Sequence, residues 1–470
     1  MAWARAGIVL GVVIVGLVAL SGGHDDDPRT PAGQPGLPAP LFGMAVIGDG
    51  GRTAAVDAYG DVVDLRAPGP VGQPLVAVSS KRQAAGTVPV SSAIVARARL
   101  ADGRTPPFWR ANSVRQHYVP GTNVLRTVAW FGDERKVVVR RTGGPGEVGA
   151  DRRWLGRAHL LNAAAPRWAK AMYRRSLLVL RALTDRRSGA VAAGARDGWA
   201  YVWPRDAATV AMAFASAGYG AEARRVARFL TGLGLDTAAR FRGSGAPVSG
   251  RAAQGDAAGW VAAAVGATGL EAPRIPPPGA PNMPGDRWQW GDRADYQEGE
   301  AGDYLGNAIA AGADLAPFEA GPRLVRIAGD ASSGLDSAAA WAVRPFPQPA
   351  LYPAVRRTLL RLVAARGSRF GIVPSQNWRG GNDPWTAPTA WTAWALATLA
   401  RHDRGRRAHR DRRAALGLLA DLRRAATPLG LLPERVDADT GLPTSTTPLA
   451  WSHAFAILAL RTLWPGRAGG

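Results

Sequence analysis

The chain contains no cysteine, so disulfides, thiolate metal sites and a lipid-modified cysteine are all excluded. Histidine is scarce, with six scattered residues, which argues against a zinc or iron centre. Lysine is almost absent: only Lys81, Lys136 and Lys170 occur, and arginine carries nearly all of the formal +22 charge. Nucleic-acid recognition calls for basic residues on one face with aromatics among them. The densest basic run, Arg401 to Arg424, instead interleaves arginines with Leu416, Leu418, Leu419 and Leu422, the pattern of an amphipathic helix with a solvated face. No nucleic-acid partner is expected, and attraction to an anionic cell envelope stays open. Long apolar runs are missing apart from Ala6–Leu20, which follows Arg5 and precedes Ser21-Gly22-Gly23 and a polar His24-Asp25-Asp26-Asp27. That layout is a secretory signal or a membrane anchor over residues 1–21, and it places the remainder outside the cytoplasmic membrane.

What is present points to a large folded chain. At 470 residues and 47% apolar content it can bury a sizeable core, with two domains as the prior. Residues 22–40 are rich in Pro and Gly and read as an extended tether. From 41 to 141, short apolar runs are bounded by turn residues, as in Met44-Ala45-Val46-Ile47 before Gly48-Asp49-Gly50, which predicts a small antiparallel β domain. Residues 142–153, with Gly143-Gly144-Pro145-Gly146, read as a linker. Helical periodicity then takes over from 154 to 466, with candidates over Ala165–Thr184, Arg205–Ala217, Ala221–Leu233, Asp256–Ala267, Asp303–Ala313, Ser333–Val343, Tyr352–Ala365, Thr389–Ala400, Asp411–Arg424 and Pro448–Leu463. Long loops rich in Gly, Pro and Trp between them fit a toroid of helix pairs better than a bundle with short connections.

Of 17 tryptophans, 14 lie between Trp154 and Trp464. Those at loop positions, Trp203, Trp288, Trp290, Trp378 and Trp385, offer flat apolar faces with one donor each, suited to stacking on sugar rings. Four segments add charge to aromatics. In Trp199-Ala200-Tyr201-Val202-Trp203-Pro204-Arg205-Asp206, Pro204 starts a helix and leaves Arg205 and Asp206 in its first turn, a donor fork beside two acceptor oxygens that suits vicinal hydroxyls. Gln254-Gly255-Asp256 is likewise polar at a helix start and leads to Trp260. Between Trp288 and Gly302 stand Asp292, Asp295, Tyr296, Gln297, Glu298 and Glu300, without the fixed alternate spacing of a calcium loop, so no metal or other cofactor is expected. The last runs from Gly430 through Glu434 to Trp451-Ser452-His453-Ala454. Pro433 keeps Leu432 out of a helix, and Thr447 and Pro448 read as the cap and first residue of a buried final helix. Glu434 is thereby held on a loop beside a rigid element, as a positioned acid or base requires.

These segments resemble the glucoamylase family, glycoside hydrolase family 15. Tyr201-Val202-Trp203-Pro204-Arg205-Asp206-Ala207 is similar to its sugar-binding motif, and Leu432-Pro433-Glu434 with Pro448-Leu449-Ala450-Trp451-Ser452-His453-Ala454 to the motif carrying its catalytic base. Gln254-Gly255-Asp256 and Asn382-Asp383-Pro384-Trp385 look like two further signatures. Ile47-Gly48-Asp49-Gly50, Asp57-Ala58-Tyr59-Gly60 and Tyr118-Val119-Pro120-Gly121-Thr122-Asn123-Val124-Leu125 resemble the β domain that precedes the barrel in bacterial members. The likeness runs from about Ile47 to Trp464.

The resemblance implies a mainly α fold, an (α/α)6 barrel with the site at its mouth, and inverting hydrolysis of terminal α-glucosidic bonds by two glutamates. Glu434 matches the base. Asp295-Tyr296-Gln297-Glu298 places the acid at Glu298, with Glu300 as its rival. The implied sugar contacts are Trp199, Tyr201, Trp203, Arg205, Asp206, Gln254, Asp256, Trp260, Tyr296, Trp385 and Trp451, and the partner is an α-linked glucan or oligosaccharide. Three features depart from the family pattern: Gln297 stands where a tryptophan is expected, Trp199 where a tyrosine is usual, and the β domain is short. They bear on substrate preference more than on fold. Read from chemistry alone, an inverting pair needs carboxyls roughly 6.5–9.5 Å apart with a water between. Glu298, near Tyr296 and Trp290, suits a raised-pKa acid, and Glu434 a base. Three alternatives remain: a catalytically silent glycan-binding or envelope scaffold on the same barrel, a trehalase-like or glucodextranase-like specificity, and a polysaccharide lyase using His453.

Overall fold

The computed structural model describes residues 44–79, 93–132, 136–142, 145–251, 253–271, 304–378 and 380–466. Two antiparallel sheets come first. The strands β1 (Ala45–Gly48), β2 (Thr53–Val56), β3 (Val62–Ala67) and β4 (Gln73–Ala77) form a meander, with Ala45 opposite Val56 and Asp64 opposite Ala77. A second meander joins β5 (Ser113–Tyr118), β6 (Leu125–Phe131) and β7 (Lys136–Thr142), with Val114 opposite Ala129 and Val128 opposite Val139. The sheets are not an independent body. Met44, Val46, Ala55 and Val63 share one continuous apolar core with Leu177, Leu180 and Leu183 of the helical part. The Tyr118-to-Leu125 motif makes the joint. Tyr118 Oη donates to Val46 O at 2.8 Å, and Asn123 Nδ2 donates to both Gly48 O and Leu178 O.

Helix α1 (Pro145–Gly156) occupies most of the stretch expected to be a linker. Pro145 is tolerated at a first helical position, where its missing N–H has no partner to lose. Asp151 then docks the helix, accepting from Asn123 N at 2.7 Å and pairing with Arg181. After α2 (Arg167–Leu183) come α3 (Pro204–Ser216), α4 (Gly220–Thr231), α5 (Ala257–Thr268), α6 (Leu305–Ala311), a 3₁₀ helix (Ser337–Ala342), α7 (Tyr352–Arg366), α8 (Thr386–His402), α9 (Gly405–Ala425) and α10 (Ala450–Leu463).

Packing closes these into a ring. α3 lies on α5, α5 on α6, α6 on the 3₁₀ helix, that helix on α8, α8 on α10, and α10 back on α3. α2, α4, α7 and α9 flank the ring from outside. The inner elements all begin at the same end, which is the mouth of an (α/α)6 toroid, so the partial positive ends of their dipoles gather there. Gly259 permits the close α5–α6 crossing: a Cβ at that position would lie 1.9 Å from Ala310 O. Below the mouth the ring is filled by aromatics. Trp260 meets Trp341 at 4.9 Å and Phe346 at 5.2 Å, and Trp391 meets Trp451 at 4.9 Å.

Two expected helices differ in detail. Ser333–Val343 is a pair of 3₁₀ turns, Ala331–Ser333 and Ser337–Ala342, because Gly334 takes a positive φ of 84° and Asp336 caps the second turn through Ala338 N. α10 starts at Ala450, two residues after Pro448, because Leu449 is held extended, bridging Gly194 and donating to Leu432 O at 2.9 Å. The segment of residues 1–43, with its apolar run and tether, lies outside the described residues. Among the described residues, no helix is long and apolar enough to cross a membrane.

Candidate active site

Glu434 is held at the mouth by backbone on both sides. Its N–H donates to Thr446 O at 2.9 Å and its carbonyl accepts from Thr386 N at 3.0 Å, so the residue is fixed between the start of α8 and the approach to α10. Each carboxylate oxygen has a donor: Trp199 Nε1 reaches Oε1 at 3.3 Å, and Ser445 Oγ donates to Oε2. Burial pushes the Glu434 carboxyl above the usual glutamate range, while Ser445, Trp199, Arg435 and Arg251 pull it back down. An acceptor with one donor on each oxygen and cations nearby is oriented for taking a proton from water.

Trp199 is aimed by a tight loop. Gly194 N donates to Trp199 O at 2.8 Å, and Ala193 N to Tyr201 O at 3.1 Å. A side chain on Gly194 would strike Thr446 Oγ1 at 2.7 Å and Trp199 Cβ at 2.9 Å. Asp197 takes a left-handed φ of 53° beside the buried Arg196, whose guanidinium donates to Val78 O of the β part.

The second group stands on the neighbouring helices. Pro204 opens α3 and leaves Arg205 and Asp206 in its first turn, both buried. Arg205 Nη1 donates to Asp256 Oδ2 at 3.0 Å and to Gln254 Oε1 at 3.3 Å, its Nη2 is 3.9 Å from Asp206 Oδ2, and its Cζ lies 4.6 Å from the centre of the Trp451 ring. Burial pushes Asp206 up to about 7 against the pull of Arg205, with the charges of Glu434 and Asp256 adding to the rise. Burial likewise raises Asp256, opposed by Arg205. The charge of Glu434 is thus felt at Asp206, which lies more than 200 residues earlier in the chain.

Tyr201, Trp203 and Trp385 are partly exposed around this group, with Arg240 over Tyr201 at 5.1 Å and Arg251 over Trp203 at 5.2 Å. Trp385 bridges Ile372 and Arg435 and stands edge-on to Trp378 at 5.4 Å. Several buried polar atoms here have no protein partner: Trp203 Nε1, Gln254 Nε2, Trp385 Nε1 and Trp451 Nε1. Buried polar atoms are ordinarily satisfied, so such a set marks where a hydroxylated ligand can supply the missing bonds.

Trp260 differs from them in being fully buried. It sits in the aromatic fill, where its indole reaches Asp256 one turn earlier on α5 rather than facing the open mouth. His453 is unsuited to the lyase reading. It is fully buried, Leu432 N donates to its Nε2 at 3.0 Å, and its Nδ1 is 2.8 Å from Ser176 Oγ. Glu298, its rival Glu300, and Tyr296 lie outside the described residues. The structure adds Ser445, Arg251, Arg240 and Arg435, which sequence reasoning missed. Only Ser445, next to Thr446-Thr447 and the final helix motif, carried any signal. Among the described residues no cluster of three or more His, Asp or Glu side chains could hold a metal ion.

This arrangement is a closed helical toroid of (α/α)6 type with carboxylates, arginines and tryptophans at its mouth. The family model "Glycosyl hydrolases family 15" matches residues 167–236. Among solved structures, one titled "Glycosidase Wild Type" is similar at 19% identity and a TM-score of 0.51, covering 63% of this chain and 97% of its own. A related glycosidase in complex with glucose is similar at 18% identity and 0.51, again covering 63% and 97%. "Glucoamylase from Saccharomycopsis fibuligera at atomic resolution" aligns at 12% identity and 0.50, covering 65% and 96%. No curated protein matches the sequence.

Proposed function

We propose that the protein is an exo-acting, inverting α-glucosidase of glucoamylase type, removing terminal sugars from an α-linked glucan or oligosaccharide. The observation that carries the reading is a buried Glu434 with a donor on each carboxylate oxygen, near enough to the buried Arg205–Asp206 pair for its charge to be felt there. Glu434 is the base that activates water. Arg205, Asp206, Gln254 and Asp256 bind the hydroxyls of the terminal sugar, and Trp199, Tyr201, Trp203, Trp385 and Trp451 wall the pocket. The glucose bound by a glycosidase of the same fold supports a sugar as the ligand.

Glu298 is the acid in this reading, with Tyr296 beside it. It precedes Tyr304 by six residues, and Tyr304 opens α6, across the ring from the α8–α10 gap that holds Glu434. The N-terminal apolar run implies an extracytoplasmic, secreted or membrane-held enzyme.

The test is hydrolysis of a panel of α-linked di- and oligosaccharides, with the anomer of the released sugar identified. Release of β-sugar from non-reducing ends is expected. Glu434→Gln abolishes turnover of every substrate. Glu298→Gln impairs ordinary glycosides by about 10²–10⁴-fold and spares a glycosyl fluoride, whose leaving group needs little protonation. If Glu300→Gln gives that pattern instead, Glu300 is the acid. Absence of turnover on any substrate, with sugar binding retained, favours the glycan-binding scaffold.

A further inference from the structure

Helix α8 starts beside Trp385 at the mouth and ends at His402, about 25 Å away at 1.5 Å per residue. α9 begins at Gly405 and runs back, so the turn between them lies at the closed end of the ring. On and just after this turn, Arg401, Arg404, Arg406, Arg407, Arg410 and Arg413 are all exposed. The same stretch has two carboxylates, and the buried Arg356 engages both: Asp403, and Asp411 at 2.6 Å. Arginine is in clear excess.

The placement runs against helix electrostatics. Arg401 stands in the last turn of α8, where the dipole favours a cation, but Arg406 and Arg407 open α9, whose first turn has no acidic residue. Cations at a helix N-terminus are disfavoured. A helix that concentrates them there, exposed and facing away from the fold, is suited to an external anion.

The chemistry of the patch narrows the partner. Leu418, Leu419 and Leu422, the apolar face of α9, are buried against the ring, so the helix cannot insert into a bilayer and any contact is peripheral and electrostatic. No Phe, Tyr or Trp occurs between Arg401 and Arg413, so the stretch lacks the large stacking platforms typical of single-strand nucleic-acid binding. An anionic headgroup layer requires only fixed positive charge close to it. The 43 residues before Met44 include the apolar Ala6–Leu20, and residues 21–43 span at most about 75 Å, enough to let the folded part reach a surface holding that run. We propose that the closed end of the toroid docks on an anionic phospholipid surface through the α8–α9 turn, with the mouth directed away from it. The lipid contact stands on the patch alone; the value of the outward mouth rests on the function proposed above.

The experiment measures sedimentation of the full-length chain with vesicles of phosphatidylcholine, or of phosphatidylcholine mixed with phosphatidylglycerol, over a salt series. Tighter binding to the mixed vesicles, abolished by salt, is expected. Arg404→Gln, Arg406→Gln and Arg407→Gln together should cut that preference by about 10²-fold, at roughly fivefold per arginine. Binding to neutral vesicles, which reports the apolar run, should not change, nor should the melting temperature or hydrolysis of a soluble oligosaccharide. Removing as much charge from the β part, by Arg97→Gln, Arg99→Gln and Arg115→Gln, should have little effect; an equal loss there would show net charge at work and overturn the proposal. Equal binding to both vesicle types would overturn it as well, as would tighter binding to single-stranded RNA than to the mixed vesicles. A wild-type chain that binds mixed vesicles but hydrolyses nothing refutes the hydrolase reading and leaves the docking surface standing.

Discussion

At the scale of single residues, the site is a balance of burial against donors. Burial raises the Glu434 carboxyl and so disfavours the ionised form a base needs; Ser445 and Trp199 stabilise that form. Trp199→Phe deletes one donor at nearly constant volume. The acidic limb of the kcat/KM profile should then move up by about one pH unit, since a hydrogen bond to a charged group is worth about 1.5 kcal/mol or more. An unmoved limb would mean that Trp199 does not tune the base. Asp206 makes a separate prediction for stability. Its native pKa of about 7 lies above the unfolded value near 3.8, so between these the folded state holds a proton that the unfolded chain has released. Its contribution to stability therefore falls as pH rises through that window. Asp206→Asn should match wild type in thermal melts near the bottom of the window and exceed it above the top, by on the order of a few kcal/mol, while losing sugar affinity throughout.

Among the elements, α10 ties the site to the fold through His453. With burial and Arg175 driving its pKa down to about 3, the imidazole is neutral at working pH. Because Leu432 N occupies Nε2, the proton sits on Nδ1 and is donated to Ser176 of α2. One side chain thus joins α10, α2 and the loop leading to Glu434. His453→Ala should cost about 3 kcal/mol in urea unfolding, from the cavity and the orphaned Leu432 N–H, and should lower kcat at pH values where Glu434 is ionised. Elements of this kind were legible from apolar spacing where it was strong, as in α2, α3 and α7. Where another force decided, they were not. The Gly/Pro-rich start of α1 hid a helix fixed by Asp151 docking. The first turns of α9 carry arginines and no apolar stripe. The start of α10 is set by a bridge from Leu449 to Gly194, on a distant loop. The motifs with Arg205, Asp206, Asp256 and Glu434 were readable because each pairs charges with aromatics at a helix start or on a fixed loop.

For the whole molecule, the continuous core makes a testable statement about cooperativity. A β part that was merely tethered would melt by itself, ahead of the ring. Here β1, β2 and β3 contribute Val46, Ala55 and Val63 to the same apolar cluster as α2 and α10. Asn123 spans the joint: its amide donates to Gly48 O and Leu178 O, its carbonyl accepts from Arg175 Nη1, and its backbone N–H is held by Asp151. The β part also holds Arg196 behind the loop that aims Trp199, so losing the joint would disturb the site as well as the interface. Far-ultraviolet circular dichroism, dominated by the helices, and limited proteolysis within the β part should therefore report coincident transitions in denaturant. Asn123→Ala removes a donor from Gly48 O and from Leu178 O and an acceptor from Arg175 Nη1, and should lower the midpoint by the equivalent of about 2–4 kcal/mol. If proteolysis of the β part in this variant precedes the loss of helix while wild type shows one transition, Asn123 is the coupling residue. If wild type already shows two transitions, the sheets and the ring fold independently and the single-core account fails.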